Sequence, residues 1–349
     1  MKPIQTGIAS YGMSGSVFHA PFLDIHPGFH IHTIVERSRD NARKRYPYVR
    51  TVRSFEQMLA CPEIRLVVVN TPDVTHYSLV QQALLAHKDV VVEKPFVLHA
   101  KEGEELTALA KQQGRLLAVY QNRRWDADFL TLRQILQSGA LGRVVEFQSS
   151  WQRYRNHIEA DTWKEKADRR VGLTFNLGSH MIDQAVTLFG LPRAVYADID
   201  RLRHQSEVDD YFHIQLLYPK LKVSLRAGYL MREETPRYCM HGTGGSYVKY
   251  GLDPQEERLK AGAIPCGAGW GSEEESAWGI LNTEMNGLHF KGKVETLPGN
   301  YAAFYDDIYH SLRQGTPPQT DAAGVLPVIR IIEAAFQSAE EQKAIPLPH

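Results

Sequence analysis

The chain has 349 residues, 43% of them hydrophobic, which is enough apolar material for a sizeable core and a length that suggests two domains. Forty Lys plus Arg balance forty Asp plus Glu, so no overall basic field draws nucleic acid or an anionic membrane, and a small-molecule ligand is favoured. Cys61, Cys239 and Cys266 are odd in number and lack any C-x-x-C pairing, a pattern that suggests neither a disulfide framework nor a zinc site. The first residues, Met-Lys-Pro-Ile-Gln-Thr-Gly, lead straight into a strand, and no apolar run of signal-peptide or transmembrane length is read downstream. The expectation is a soluble protein of the reducing cytoplasm.

In chain order, Ile4 to Ala9 reads as a short strand, followed by the turn Ser10-Tyr11-Gly12-Met13-Ser14-Gly15 and an apolar-periodic helix from Val17. The turn overlays the dinucleotide fingerprint G-x-G-x-x-G, with Ser10 in the first glycine position. Gly12 would let the backbone approach a pyrophosphate, and Gly15 would allow the helix to pack close on the strand. Tyr11 and Ser14 complete the cofactor-binding candidates of this turn. A βα turn that holds no ligand is the alternative.

A second strand, His30 to Val35, ends in Glu36-Arg37-Ser38-Arg39. An acidic residue here binds a ribose hydroxyl of NAD, whereas arginine accommodates the 2′-phosphate of NADP. If Glu36 turns away, Arg37 and Arg39 favour NADP; if the arginines are only a solvated helix start, Glu36 favours NAD. Strands at Thr51 to Arg53, Arg65 to Asn70, Val90 to Val92 and Leu116 to Tyr120 alternate with helices over Val74 to His87 and Ala100 to Gly114, a doubly wound α/β pattern. Thr71, Pro72 and His76 follow the fourth strand, where they would flank the nicotinamide ribose; His76 reads equally as an ordinary helix histidine. Glu93-Lys94-Pro95 ends the valine strand. Ligands of open α/β sheets sit outside the carboxyl ends of the strands, which aims Lys94 at the site, while a lysine that merely snorkels to solvent is the bland alternative.

The pattern changes after Tyr120, so the expected domains are 1–121, a Rossmann doubly wound parallel sheet, and 122–349, an α+β domain with an open, mostly antiparallel sheet. Asn122 stands where it could meet the nicotinamide region, and Arg123, Arg124 and Trp125 read as pins between the domains. A helix near Phe129 to Leu136 leads to a strand, Val144 to Trp151. Asn176-x-Gly178-x-His180-x-x-Asp183 opens an apolar helix on which Asn176 and His180, four apart, share a face. Tyr154 and Trp163 stand before it, either lining a substrate pocket or packing in the core or between domains. Tyr211 to Tyr218, Val223 to Tyr229 and Arg237 to Met240 alternate as antiparallel strands. Gly242 to Ser246 is a turn before a strand, not a phosphate loop; Gly262 to Gly279 reads as a surface loop, and Ala322 to Gln342 as an amphipathic helix.

The fingerprint turn, Thr71-Pro72 with His76, Glu93-Lys94-Pro95 and the Asn176 to Asp183 motif together resemble the glucose-fructose oxidoreductase, inositol dehydrogenase and MocA family, over nearly the whole chain. Tyr11 through Phe18-His19-Ala20-Pro21, Asn122 to Asp126 and Ser246 to Gly251 look like a subgroup that includes an NADP-dependent scyllo-inositol dehydrogenase. The resemblance implies hydride transfer between a nicotinamide and a secondary alcohol of a cyclic polyol or sugar, with Lys94 and His180 acting together on the alcohol. Most inositol dehydrogenases have Asp where this chain has Asn176, and an amide can orient a hydroxyl but not accept its proton. The resemblance also implies a homodimer through the outer face of the sheet, and a last helix, 322–342, that returns to the first domain. Two other readings are an NAD-dependent glycosidase of the same family and a non-catalytic nucleotide-sensing regulator.

Overall fold

The computed structural model describes residues 2–159, 165 and 172–347. It divides into two compact units.

The first unit is built on a parallel sheet. Its strands are β1 (Ile4–Ile8), β2 (Phe29–Val35), β3 (Arg50–Val52), β4 (Leu66–Val69), β5 (Asp89–Val92) and β6 (Leu117–Val119), in the order β3-β2-β1-β4-β5-β6. Val67, Val68 and Val69 of β4 and Val90, Val91 and Val92 of β5 are all fully buried, the environment in which β-branched runs form parallel strands covered on both faces. Each buried valine contributes roughly 1.5–3 kcal/mol relative to exposure. The helices are α1 (Ala20–Ile25), α2 (Asn41–Arg45), α3 (Phe55–Leu59), α4 (His76–Leu85) and α5 (Ala100–Gln113). The sheet order reverses between β1 and β4, the place where doubly wound sheets hold ligands.

This unit is not contiguous in sequence. It takes in the chain up to Trp125, then Gln255–Trp270 and Asn300–Leu326, which carry α8 (Gln255–Lys260) and α9 (Ala302–Gln314). Tyr301, Phe304, Tyr305, Ile308 and Leu312 recur at helical spacing and are buried against Phe22, Tyr120 and Trp125. Arg123 pairs with Glu256, and Arg124 Nη1 donates to the Gln319 carbonyl at 2.6 Å. Arg123, Arg124 and Trp125 therefore pin returning segments of their own unit.

The second unit comprises Asp126–Pro254, Gly271–Gly299 and the chain from Pro327 on. It contains α6 (Ala127–Gln137), α7 (Ser179–Phe189) and the strands β7 (Val144–Gln152), β8 (Ala194–Asp200), β9 (Tyr211–Tyr218), β10 (Leu221–Gly228), β11 (Tyr238–Gly242), β12 (Gly245–Lys249), β13 (Gly279–Met285), β14 (Leu288–Val294) and β15 (Ile345–Pro346). The sheet order is β14-β13-β12-β11-β7-β10-β9-β8-β15. All these pairings are antiparallel except β7 with β10.

The final helix, α10 (Ala322–Glu341), corrects two expectations. Only its first turn, through Leu326, belongs to the first unit; beyond Pro327 it packs in the second, where Phe336 stacks on Phe175 and Ser338 Oγ accepts from the Ala197 amide at 3.0 Å. It is also long and apolar enough to cross a membrane, but more than half of that span is buried inside the fold, so its apolar surface is spent on core packing.

Candidate active site

The fingerprint turn connects β1 to one π turn, Gly15–His19, which runs directly into α1. Asn70, at the end of β4, fixes it from across the switch point: its Oδ1 accepts from the Ser10 amide at 3.0 Å and its Nδ2 donates to the Ser10 carbonyl at 2.8 Å. A Cβ on Gly15 would fall 2.1 Å from the Ser10 carbonyl oxygen, so only glycine lets the helix approach the strand this closely. A Cβ on Gly12 would meet only Ser10 Oγ, at 3.6 Å. The fold itself does not require glycine there, and the open space above it fits the close passage of a pyrophosphate.

Glu36, at the end of β2, is buried, and its carboxylate oxygens accept from the amides of Asn41 and Ala42, each at 3.0 Å. It caps α2, supplying acceptors to orphan amides of that helix. Arg53 braces the same loop, donating to the carbonyls of Glu36 and Arg39 at 2.9 and 2.7 Å and pairing with Asp40. Arg37 and Arg39 are exposed. Among the described residues their guanidinium groups have no ion-pair partner.

Ser14 of the fingerprint turn and Glu93 at the end of β5, expected to serve the cofactor from different strands, meet here. Glu93 Oε1 accepts from Ser14 Oγ and from His19 Nε2, the latter at 3.0 Å, while Oε2 accepts from the Lys94 amide at 3.1 Å. Burial pushes the Glu93 carboxyl up, but the His19 imidazole, the Ser14 hydroxyl and the Lys94 charge outweigh it and hold it below the usual carboxylate range. His19 is fully buried, with Nδ1 2.7 Å from the Tyr305 hydroxyl. A neutral His19 with its proton on Nε2 satisfies both partners: it donates to Glu93 and accepts from Tyr305. Neither His19 nor Tyr305 was singled out for this role from the sequence, although Phe18-His19-Ala20-Pro21 lies in a run that carried the resemblance.

Lys94 stands half-buried just past the end of β5, its backbone held by the carboxylate of its own neighbour. His76 is buried, with Nδ1 2.8 Å from the Pro95 carbonyl and Nε2 3.0 Å from the Thr71 carbonyl. Both ring nitrogens are directed at backbone, so His76 ties the Thr71-Pro72 loop to the Glu93-Lys94-Pro95 loop rather than offering a nitrogen to a cofactor. Asn122 is buried at the start of a 3-10 turn (Asn122–Trp125) after β6.

In the second unit, Asn176 sits on another π turn, Thr174–Gly178, that leads into α7. Asn176 is exposed and His180 is buried, with its ring 6.5 Å from that of Trp151 on β7. The seat of this turn is Asp209, whose Oδ2 accepts from the Thr174 amide at 2.7 Å. Burial raises the Asp209 pKa. A Cβ on Gly172 would fall 1.6 Å from Asp209 Oδ1, so the chain narrows to glycine where the carboxylate docks. Tyr154 is exposed, with the Arg232 guanidinium 3.9 Å over its ring. Trp163 lies outside the described residues.

Two family models match the chain: "Oxidoreductase family, NAD-binding Rossmann fold" over residues 4–121, and "Oxidoreductase family, C-terminal alpha/beta domain" over residues 133–347. The chain belongs to the Gfo/Idh/MocA oxidoreductase family. Within that family it is 40% identical to scyllo-inositol 2-dehydrogenase (NADP(+)) IolW of Bacillus subtilis, over 99% of this chain and 96% of the relative. It is 38% identical to the uncharacterised oxidoreductase YdgJ of Escherichia coli, over 98% of each. The crystal structure of a putative oxidoreductase from Bacteroides fragilis superimposes with a TM-score of 0.93 at 53% identity, covering 99% of this chain and 100% of that one. The parallel sheet with its NAD-binding fold and the mostly antiparallel second sheet are those of this oxidoreductase family.

Proposed function

We propose that this oxidoreductase uses NADP to interconvert a secondary alcohol and a ketone on a cyclic polyol of the inositol type. The observation that carries the reading is the anchored Glu93-Lys94 pair at the switch-point end of β5: a half-buried carboxylate, ligated by Ser14 and His19, holds the amide of the adjacent lysine. Similarity to a scyllo-inositol dehydrogenase over the full chain supports the substrate class. The capping of α2 by Glu36 supports NADP, because the carboxylate is engaged with amides while Arg37 and Arg39 remain to meet a 2′-phosphate.

When bound, the nicotinamide supplies the hydride acceptor and donor at its C4. Gly12 and the amides of the fingerprint turn would hold the pyrophosphate, and the Thr71-Pro72 loop and Asn122 the nicotinamide end. Lys94 and His180 would share the proton of the reacting hydroxyl, removing it in the oxidising direction and returning it in the reducing one. Asn176, an amide, would orient the hydroxyl without taking its proton. Lys94→Ala is expected to lower kcat by ~10²–10⁴ while leaving the NADP dissociation constant within a few-fold; undiminished turnover would remove Lys94 from the chemistry. A panel of inositols and aldoses, followed at the nicotinamide absorbance with NADP and with NAD, tests the whole reading. No net reduction with any polyol would refute it.

The homodimer is part of the same proposal. On the outer face of the second sheet, Gln148, His213, Gln215, Lys222, Ser224 and Arg226 line a groove of about 470 Å³, the face that a two-fold dimer would bury against its own copy. Light scattering that returns a monomer at micromolar concentration would overturn it.

A further inference from the structure

We propose that His32, Cys61 and Glu63 form a site for one thiophilic divalent cation of the zinc class, on the first unit and remote from the fingerprint turn. Cys61 and Glu63 lie in the loop from α3 to β4, at the amino end of β4, whereas Ser10 and Asn70 stand at the carboxyl ends of β1 and β4. The three potential ligand atoms lie within 4.8 Å of one another. Cys61 Sγ is 3.8 Å from His32 Nδ1 and 3.0 Å from Glu63 Oε2. Tetrahedral zinc, with bonds of about 2.3 Å to sulfur and about 2.0–2.2 Å to nitrogen or oxygen, places its ligands roughly 3.3–3.6 Å apart. The two separations from Cys61 straddle that range, and with all three ligand atoms inside 4.8 Å a movement of about an ångström, within reach of the exposed Glu63 side chain, closes the site.

The backbone presents these groups in a way that packing alone does not require. In the β1–β2 ladder Thr6 pairs with Ile31 and Gly7 with Thr33, so the register slips at His32. Such an irregularity re-aims a strand side chain, and here the imidazole meets Cys61, 29 residues away. On the other side, Lys88 is buried, and its Nζ donates to the carbonyls of Cys61 and Ile64 at 3.0 and 2.8 Å. The loop carrying both remaining ligands is thereby fixed before any ion arrives. Cys61 is buried, His32 half-buried and Glu63 exposed, which leaves the cation a solvent approach and a fourth position for water, the open arrangement of three-ligand zinc sites.

The proton and charge balance is simple. Without metal the Cys61 thiol donates to Glu63. Binding releases that proton to solvent, displaces the contact of His32 Nδ1 with Thr33 Oγ1 at 2.8 Å, bonds the thiolate, the carboxylate and the imidazole nitrogen to the cation, and changes no oxidation state. One thiolate and one carboxylate offset the two positive charges. Cysteine spacing along the chain suggests no zinc site, because the ligands belong to a strand and a loop that only the sheet brings together.

The test is a Co²⁺ titration of the full-length, chelator-treated protein, followed by the near-ultraviolet thiolate-to-cobalt charge-transfer band. The expected result is saturation at one equivalent, reversal by Zn²⁺, and loss of the band in Cys61→Ser. Cys239→Ser must retain the band, since Cys239 with His241 at 3.1 Å is a competing thiol-imidazole pair. His32→Ala keeps every thiol and is expected to weaken Co²⁺ binding at least ~100-fold. A wild-type protein without the band, a band that survives Cys61→Ser, or unchanged affinity in His32→Ala would each overturn the site.

Discussion

Replacing His19 by alanine should loosen the candidate active site from behind. His19 Nε2 donates to the half-buried Glu93 carboxylate at 3.0 Å and Nδ1 faces the Tyr305 hydroxyl at 2.7 Å. A hydrogen bond to a charged group contributes about 1.5–3 kcal/mol, and a buried hydroxyl left without its partner costs about 1–3 kcal/mol. The sum, about 2.5–6 kcal/mol, corresponds in a 349-residue chain to a fall in Tm of roughly 3–8 °C. The pH dependence has a definite sign. Because Glu93 is held below its ordinary value of 4.5 in the fold, its contribution is complete above that value and is lost as pH falls through the lower folded one. Without His19 that gap narrows, so acid unfolding should begin at higher pH than in the wild type. Calorimetry at pH 7 and a stability titration between pH 6 and 3 measure both effects, with kcat for polyol oxidation as the readout of Lys94 placement. His19→Gln, which can still donate to Glu93, should recover a large part of each. A His19→Ala protein with Tm within about 2 °C of wild type and an unchanged acid limb would refute the argument.

Gly12 and Gly15 should separate ligand approach from folding. Gly15→Ala sets a Cβ 2.1 Å from the Ser10 carbonyl oxygen and is expected to cost several kcal/mol in thermal or urea unfolding, in the manner of strained close approaches. Gly12→Ala meets nothing nearer than 3.6 Å; its stability should stay within ~0.5 kcal/mol while NADP binding, measured by calorimetric titration, weakens at least tenfold. Equal stability losses in the two would overturn the distinction. Replacing Arg37 and Arg39 together by alanine should raise the KM for NADP by roughly 10–100-fold, the equivalent of one or two charge-assisted hydrogen bonds, and leave the KM for NAD within about threefold. Parallel changes for both cofactors would return Glu36 to the ribose.

Much of the fold was legible because local pattern and burial agree. The valine run of β5 is the fully buried parallel strand its composition demands, and Tyr211 to Tyr218 alternates along β9 over the span read from sequence. Legibility fails where partners are far apart in the chain. Glu93 sits 74 residues from His19, and Tyr305 another 286 from His19; nothing periodic links them. The acidic residue after β2 was visible, but its role as the cap of α2 depends on a backbone turn that brings two amides to its oxygens. Helix spacing in Tyr301, Phe304, Tyr305 and Ile308 argues for an amphipathic element without saying which core receives it. The boundary after Tyr120 marks a change of pattern, whereas the compact units are interleaved, because a helix joins whichever apolar surface lacks cover.

That interleaving shapes how the chain emerges during synthesis. When Trp125 has been made, Phe22, Tyr120 and Trp125 still lack α9, whose aromatic residues seal them only once the chain has reached Gln314. At ~5–20 residues per second, translating the intervening stretch takes on the order of 10–40 s. For that interval the nascent nucleotide-binding half carries an unsealed greasy flank, a natural client surface for ribosome-associated chaperones. An amino-terminal fragment cut after Trp125 would keep that flank open permanently, and is expected to aggregate more readily than the intact polypeptide.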